Sequence, residues 1–99
     1  MDKLIKFIKS SYNAEHHTFN TKKIYIDFKD FDELGLTNIE IVSQICIELQ
    51  NHFNNDIDNL QYFNHFGYET IIFSYYNFKG EIWADPDISK WICTMTLDN

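Results

Sequence analysis

The first residues to weigh for chemistry in this chain are four histidines, two cysteines and fifteen carboxylates. Glu15, His16 and His17 stand together, and carboxylate and imidazole are ordinary zinc ligands. Adjacent residues do not share a helix face, however, and nothing in the spacing of His52 and His65 requires them to converge on that pair. No metal site and no cofactor are expected. Asn54, Asp56 and Asp58 alternate like the opening of a calcium loop. The pattern fails at its sixth position, where Asn59 replaces glycine, and at its twelfth, where His65 replaces a bidentate glutamate.

Covalent catalysis needs a nucleophile with a base and an orienting group in reach. Cys46 and Cys93 instead sit in apolar sequence, Ile45-Cys46-Ile47 and Ile92-Cys93-Thr94. Both are expected to be buried, free and slow to react, in a reducing compartment. No serine occupies a glycine-flanked elbow, and Gly35, Gly67 and Gly80 form no phosphate-cradling loop. Glu69 with Glu81, or Asp85 with Asp87, can be written as acid–base pairs, but such pairs become chemistry only in a closed pocket that separates their pKa values. The sequence therefore reads as that of a non-enzyme.

Charge narrows the remaining classes. Fifteen acidic residues face eight lysines, arginine is absent, and the formal net charge is -7. That field repels phosphate backbones, and without arginine there is no bidentate contact to guanine. Direct nucleic-acid binding is not expected. The lysines of the N-terminal segment interrupt its apolar residues, unlike a signal peptide, and no apolar run reaches transmembrane length. The expected location is the cytoplasm, with no membrane contact.

Binding to a protein is the class with positive features. Two acidic segments each carry a large ring: Asp30, Phe31, Asp32 and Glu33 in one, and Trp83, Asp85 and Asp87 in the other. Phe31, Tyr62, Phe63, Tyr68, Tyr76, Phe78 and Trp83 are more aromatics than a small core takes up. Aromatic anchors rimmed by carboxylates suit a lysine- or arginine-rich partner, because the rings supply desolvated contact and the rim steers encounter. The expected function is that of an inhibitor or immunity-type protein. It would occlude a basic surface of a partner, such as a nuclease or another nucleic-acid-binding enzyme, by imitating nucleic-acid charge. Phe31 and Trp83 would be the anchors, with Trp83 at a sheet edge beside Asp85 and Asp87. Two other roles fit the same residues: a structural or adaptor protein that forms a homodimer, and a small enzyme or ligand-binding domain using histidines and carboxylates.

The elements that must position these residues follow from periodicity. Leu4, Ile5, Ile8 and Tyr12 recur at helical spacing over residues 3–16, with Asp2 as N-cap. Residues 22–28 alternate as a strand, with Ile24, Ile26 and Phe28 opposed to Tyr25 and Asp27. Residues 29–35 form an acidic connection or one short helical turn. A second helix starts with a capping box at Thr37 and Glu40 and a staple of Leu36 on Ile41. Ile41, Val42, Ile45, Cys46, Leu49 and Phe53 form its stripe, widened by Ile39 and Ile47, and the Asn/Asp-rich residues 51–59 end it. Residues 60–63 are a short strand or a last turn. Residues 68–78 make a long strand, a turn at 77–80 leads into a strand at 81–84, and Asp85-Pro86-Asp87 turns into a final strand at 90–97. The expected fold is one α+β domain over residues 1–99, two helices packed on one face of a mainly antiparallel sheet of three to five strands, in the order α-β-α-β-β-β.

Overall fold

Hydrophobic spacing at the two ends of the chain decides what packs on what. A computed structural model describes residues 1–13, 21–32 and 38–97. Helix α1 (Asp2–Asn13) buries Leu4, Ile5 and Ile8 on one stripe. Its first turn is closed by the Met1 carbonyl, which accepts from the amides of Leu4 and Ile5 at 3.1 and 3.2 Å, so Asp2 lies inside the helix rather than capping it. Ser11 is fully buried, yet its hydroxyl donates to the Phe7 carbonyl at 3.1 Å. That bond satisfies the group and lets the helix continue through its serines.

Strand β1 (Thr21–Asp27) leads into a single turn, α2 (Lys29–Asp32), and then to α3 (Asn38–Phe53). Thr37 and Leu36, the expected cap and staple, lie outside the described residues. The stripe itself is as expected for Ile41, Val42, Ile45, Leu49 and Phe53, all buried. Ile39 and Ile47 do not widen the buried arc; they are 49% and 50% exposed, because the sheet beneath is met by one side of the cylinder only.

A turn of 3-10 helix at Asn54–Asp56 opens the sheet proper: β2 (Ile57–His65), β3 (Tyr68–Tyr75), β4 (Phe78–Asp85) and β5 (Lys90–Leu97). The five strands lie in the order β1-β5-β4-β3-β2, and every neighbouring pair is antiparallel. The fold is thus the α+β arrangement expected, with the sheet at its full five strands. The short segment expected at 60–63 is a nine-residue strand. The turn expected at 77–80 falls earlier, at Tyr76 and Asn77, with Tyr76 in the left-handed region (φ 55). Phe78 and Gly80 are buried strand residues, so Phe78 is core rather than exposed aromatic surface. Gly80 is opposite Phe73 in register, and a Cβ built on it would meet the tip of the Phe73 ring far inside van der Waals contact. Glycine is what allows that ring to lie flat across the neighbouring strand.

One continuous core joins α1 and α3 to residues from all five strands, including Ile26, Ile57, Ile71, Phe73, Ile82, Trp91, Cys93 and Met95. The side chains that alternate with these point to the other face, which carries neither α1 nor α3. Among the described residues, no helix is long and apolar enough to cross a membrane.

Two expectations follow from this packing. Ile45→Ala should cost about 2–5 kcal/mol in unfolding free energy by opening a core cavity, whereas Ile47→Ala should stay within about 0.5 kcal/mol. Chemical denaturation of the two variants checks this. The cysteines are both free, but they are not equivalent: Cys93 is buried and Cys46 only half-buried. Burial raises both thiol pKa values and raises that of Cys93 far more. A thiol reagent under native conditions, followed by mass spectrometry, should modify Cys46 first and Cys93 only on unfolding.

Candidate functional site

The helix-free face is assembled by register. Tyr25 is opposite Ile92, Ile92 opposite Trp83, Trp83 opposite Thr70, and Thr70 opposite Phe63, a single rung that crosses all five strands. Its inner members Ile92 and Thr70 are only 5% and 4% exposed although they face away from α1 and α3. Their larger neighbours in the rung shield them. Tyr25 and Phe63 close the rung at the two sheet edges and remain exposed.

Next to this rung lies a recess of about 200 Å³ lined by His65, Tyr68, Thr70, Glu81, Trp83 and Asp85. A second hollow of about 180 Å³ shares His65, Thr70 and Glu81 and adds Phe63. Trp83, expected at a sheet edge, stands on β4, the central strand. Its ring stands between the carboxylates of Glu81 and Asp85 along β4 and shares the lining with Tyr68, a set suited to an ammonium or guanidinium group, which takes charge from the carboxylates and apolar contact from the rings.

His65 belongs to an aromatic series that runs to the hairpin tip. Its ring meets Phe63 at 6.2 Å and Phe66 at 4.6 Å, both edge-on. Phe66 and Gly67 both have positive φ (52 and 89), the backbone of a two-residue primed hairpin turn. Asparagine or glycine ordinarily holds the first of those positions. Here it is a phenylalanine, 89% exposed. The Gly67 amide donates to Asn64 Oδ1 at 2.9 Å and secures the tip.

The two acidic segments approach each other at the same end of the sheet. The Phe28 amide donates to the Ser89 carbonyl at 3.0 Å and ties the start of α2, with exposed Asp30, to the turn that carries Asp85 and Asp87. Asp85 Oδ1 accepts the Asp87 amide at 3.0 Å and shapes that turn. The side chains of Phe31 and Asp32, and all of Glu33, lie outside the described residues. Lysines interleave with these acids. Lys90 Nζ is 2.9 Å from Asp27 Oδ1, and Lys3 Nζ donates to the Tyr25 carbonyl at 3.1 Å. A hollow of about 430 Å³ beside them is lined by Asp27, Phe28, Lys29, Ile88 and Ser89.

No known family, curated protein or solved structure matches this chain.

The remaining expectations about chemistry divide cleanly. Glu69 and Glu81 are on opposite faces: Glu69 shares the helix side with Tyr62 and Asn64, both of which donate to it, while Glu81 lines the recess. The bond to Glu69 raises the Tyr62 phenol pKa. His52 lies on α3, 3.1 Å from Glu48 Oε2, and His65 is on the far face of the sheet, so the fold does not bring these two together. His16 and His17 lie outside the described residues, and among the described ones no three His, Cys, Asp or Glu side chains converge as a metal site. In the sequence Tyr68, Glu81 and His65 are candidates of other kinds, a surplus aromatic, half of an acid–base pair and a possible metal ligand; only the strand register places them with Trp83 and Asp85.

The Asp27–Lys90 bridge yields a titration test. The hydrogen bond from Lys90, and then its charge, hold the Asp27 carboxyl below its ordinary 3.8. A depressed folded-state value means that the bridge favours the fold at neutral pH and that its contribution is lost as pH falls through the Asp27 titration. In Lys90→Met, carboxyl NMR should find the Asp27 pKa raised toward its ordinary value.

Proposed function

We propose that this protein is a small inhibitory or immunity-type binding module that occludes a basic surface of a partner protein with the helix-free face of its sheet. The observation that carries this reading is the recess in which Trp83 and Tyr68 stand with Glu81 and Asp85. A partner's lysine or arginine would lay its methylene stem along the rings and set its charge against the carboxylates. Asp87 and Asp30, at the same end of the sheet, would form the outer rim, and Phe31, Asp32 and Glu33 follow Asp30 in sequence. The chain net charge of -7 accelerates encounter with a basic partner such as a nuclease or other nucleic-acid-binding enzyme. Blocking such a surface requires no catalysis by this chain, and its two free thiols suit a cytoplasmic setting.

Trp83 offers a direct assay. The other tryptophan, Trp91, is buried at 1% exposure and supplies a constant background, so a change in emission on binding reports Trp83. Titration with a lysine-rich peptide should give a saturable change that weakens as salt rises, and Trp83→Phe should abolish the signal. Glu81→Gln with Asp85→Asn should chiefly slow association with a protein partner. Trp83→Ala should chiefly speed dissociation and cost about 2 kcal/mol of affinity. An equal response to a glutamate-rich peptide, or binding indifferent to salt, refutes the electrostatic reading.

A further inference from the structure

The two edges of the sheet are built differently. β1 carries Lys22 and Lys23, and charge along an edge strand discourages pairing with another chain. β2, the other edge, contains neither lysine nor proline and has only β3 beside it among the described strands. Its single irregularity lies between Asp58 and Gln61, beyond which Gln61 to His65 pair with β3 in unbroken register. The outward amides and carbonyls of that stretch present a ready ladder. Tyr62 and Phe63, pointing to opposite faces, are 41% and 39% exposed along it.

We propose that this edge pairs with the β2 edge of a second copy of the chain, antiparallel about a two-fold axis perpendicular to the sheet, to make one continuous ten-stranded sheet. The charge pattern of the strand selects this occupant. Asp58 is the only acid in β2 and His65 the only base, and they lie near its opposite ends. Asp58 is opposite Ser74 and His65 opposite Tyr68, so both project from the helix-free face. Antiparallel self-pairing sets the Asp58 end of each copy beside the His65 end of its mate, and the symmetry makes the match twice. The rest of an acidic chain repels its own copy, whereas this strip sets each carboxylate beside an imidazole that can donate a hydrogen bond to it. Aromatic side chains on both faces add cross-strand contacts. The operator leaves α1 and α3 of both copies on one side and both recesses on the other. A ladder this short makes a weak, concentration-dependent dimer.

Analytical ultracentrifugation of the full chain from about 10 μM to about 1 mM spans the range in which so weak a dimer forms. The weight-average mass should rise from 11.9 kDa toward twice that value. Asp58→Lys and His65→Asp should each raise the dimer dissociation constant by about tenfold. The double charge swap Asp58→Lys/His65→Asp should restore it, which loss of fold or a general charge effect could not do. Phe63→Lys, a charged blunting of the edge, should also weaken the dimer. A monomer throughout the series overturns the proposal, as does a dimer indifferent to the single variants or a swap that fails to restore it. A chain that stays monomeric yet takes an extended peptide along β2 overturns it in favour of a different occupant.

Discussion

Two helices can cover one face of a five-stranded sheet, and this chain places both of its long helices on the same face. Among the described residues, the other face is then made compatible with water by side chains of the sheet itself. The rung from Tyr25 through Ile92, Trp83 and Thr70 to Phe63 meets that requirement, as large residues shield Ile92 and Thr70 without a second layer. A ring half-exposed above a sheet leaves hollows beside it, and the carboxylates of Glu81 and Asp85 line the one next to Trp83. The recess is therefore a by-product of layer arithmetic before it is anything else. Its value for binding lies in the rigidity of its floor, formed by the central strands of the sheet.

Much of this architecture was legible from residue spacing, and the failures have physical causes. The helical stripe from Ile41 to Phe53 and the alternation of β1, β3 and β5 follow directly from burial on one face. β2 is longer than its residues suggest, because asparagine and aspartate at its start signal turns and an edge strand with few buried side chains has little hydrophobic alternation. The second hairpin was placed late because Gly80 looks like a turn residue. Its actual reason is the Phe73 ring across it, a contact between strands that no local pattern reveals. Within the site, Trp83 and Asp85 stood out by type, while Tyr68, His65 and Glu81 became neighbours only through register. A slip of one residue in the β3–β4 pairing would dismantle the recess.

The acidity of the chain also changes meaning once placed. As a sum it describes a field strong enough to steer a partner at a distance. At contact range the end of the sheet that carries Asp27, Asp30, Asp85 and Asp87 is a mosaic, with Lys90 bonded to Asp27 and Lys29 following on. In the proposed binding mode, long-range attraction and short-range fit would therefore be supplied by different residues. Net charge alone would assign both to the acidic segments, whereas the geometry gives the apolar contact to Trp83 and Tyr68 on the open face.

The sheet order carries a temporal implication. β2, β3, β4 and β5 form a meander in which each strand pairs with the next along the chain. β1 is the exception: Thr21 is opposite Thr96, and Asp27 opposite Lys90. During synthesis the N-terminal quarter, α1 and β1 together, emerges first and has no sheet to join until the last strand has left the ribosome. β1 must wait through the synthesis of β2, β3, β4 and β5 for its partner, and that closing contact spans the longest sequence separation in the sheet. A ribosome-bound fragment ending before β5 would therefore expose Leu4, Ile5, Ile8 and Ile26. That interval is when the chain's apolar surface is most open to solvent.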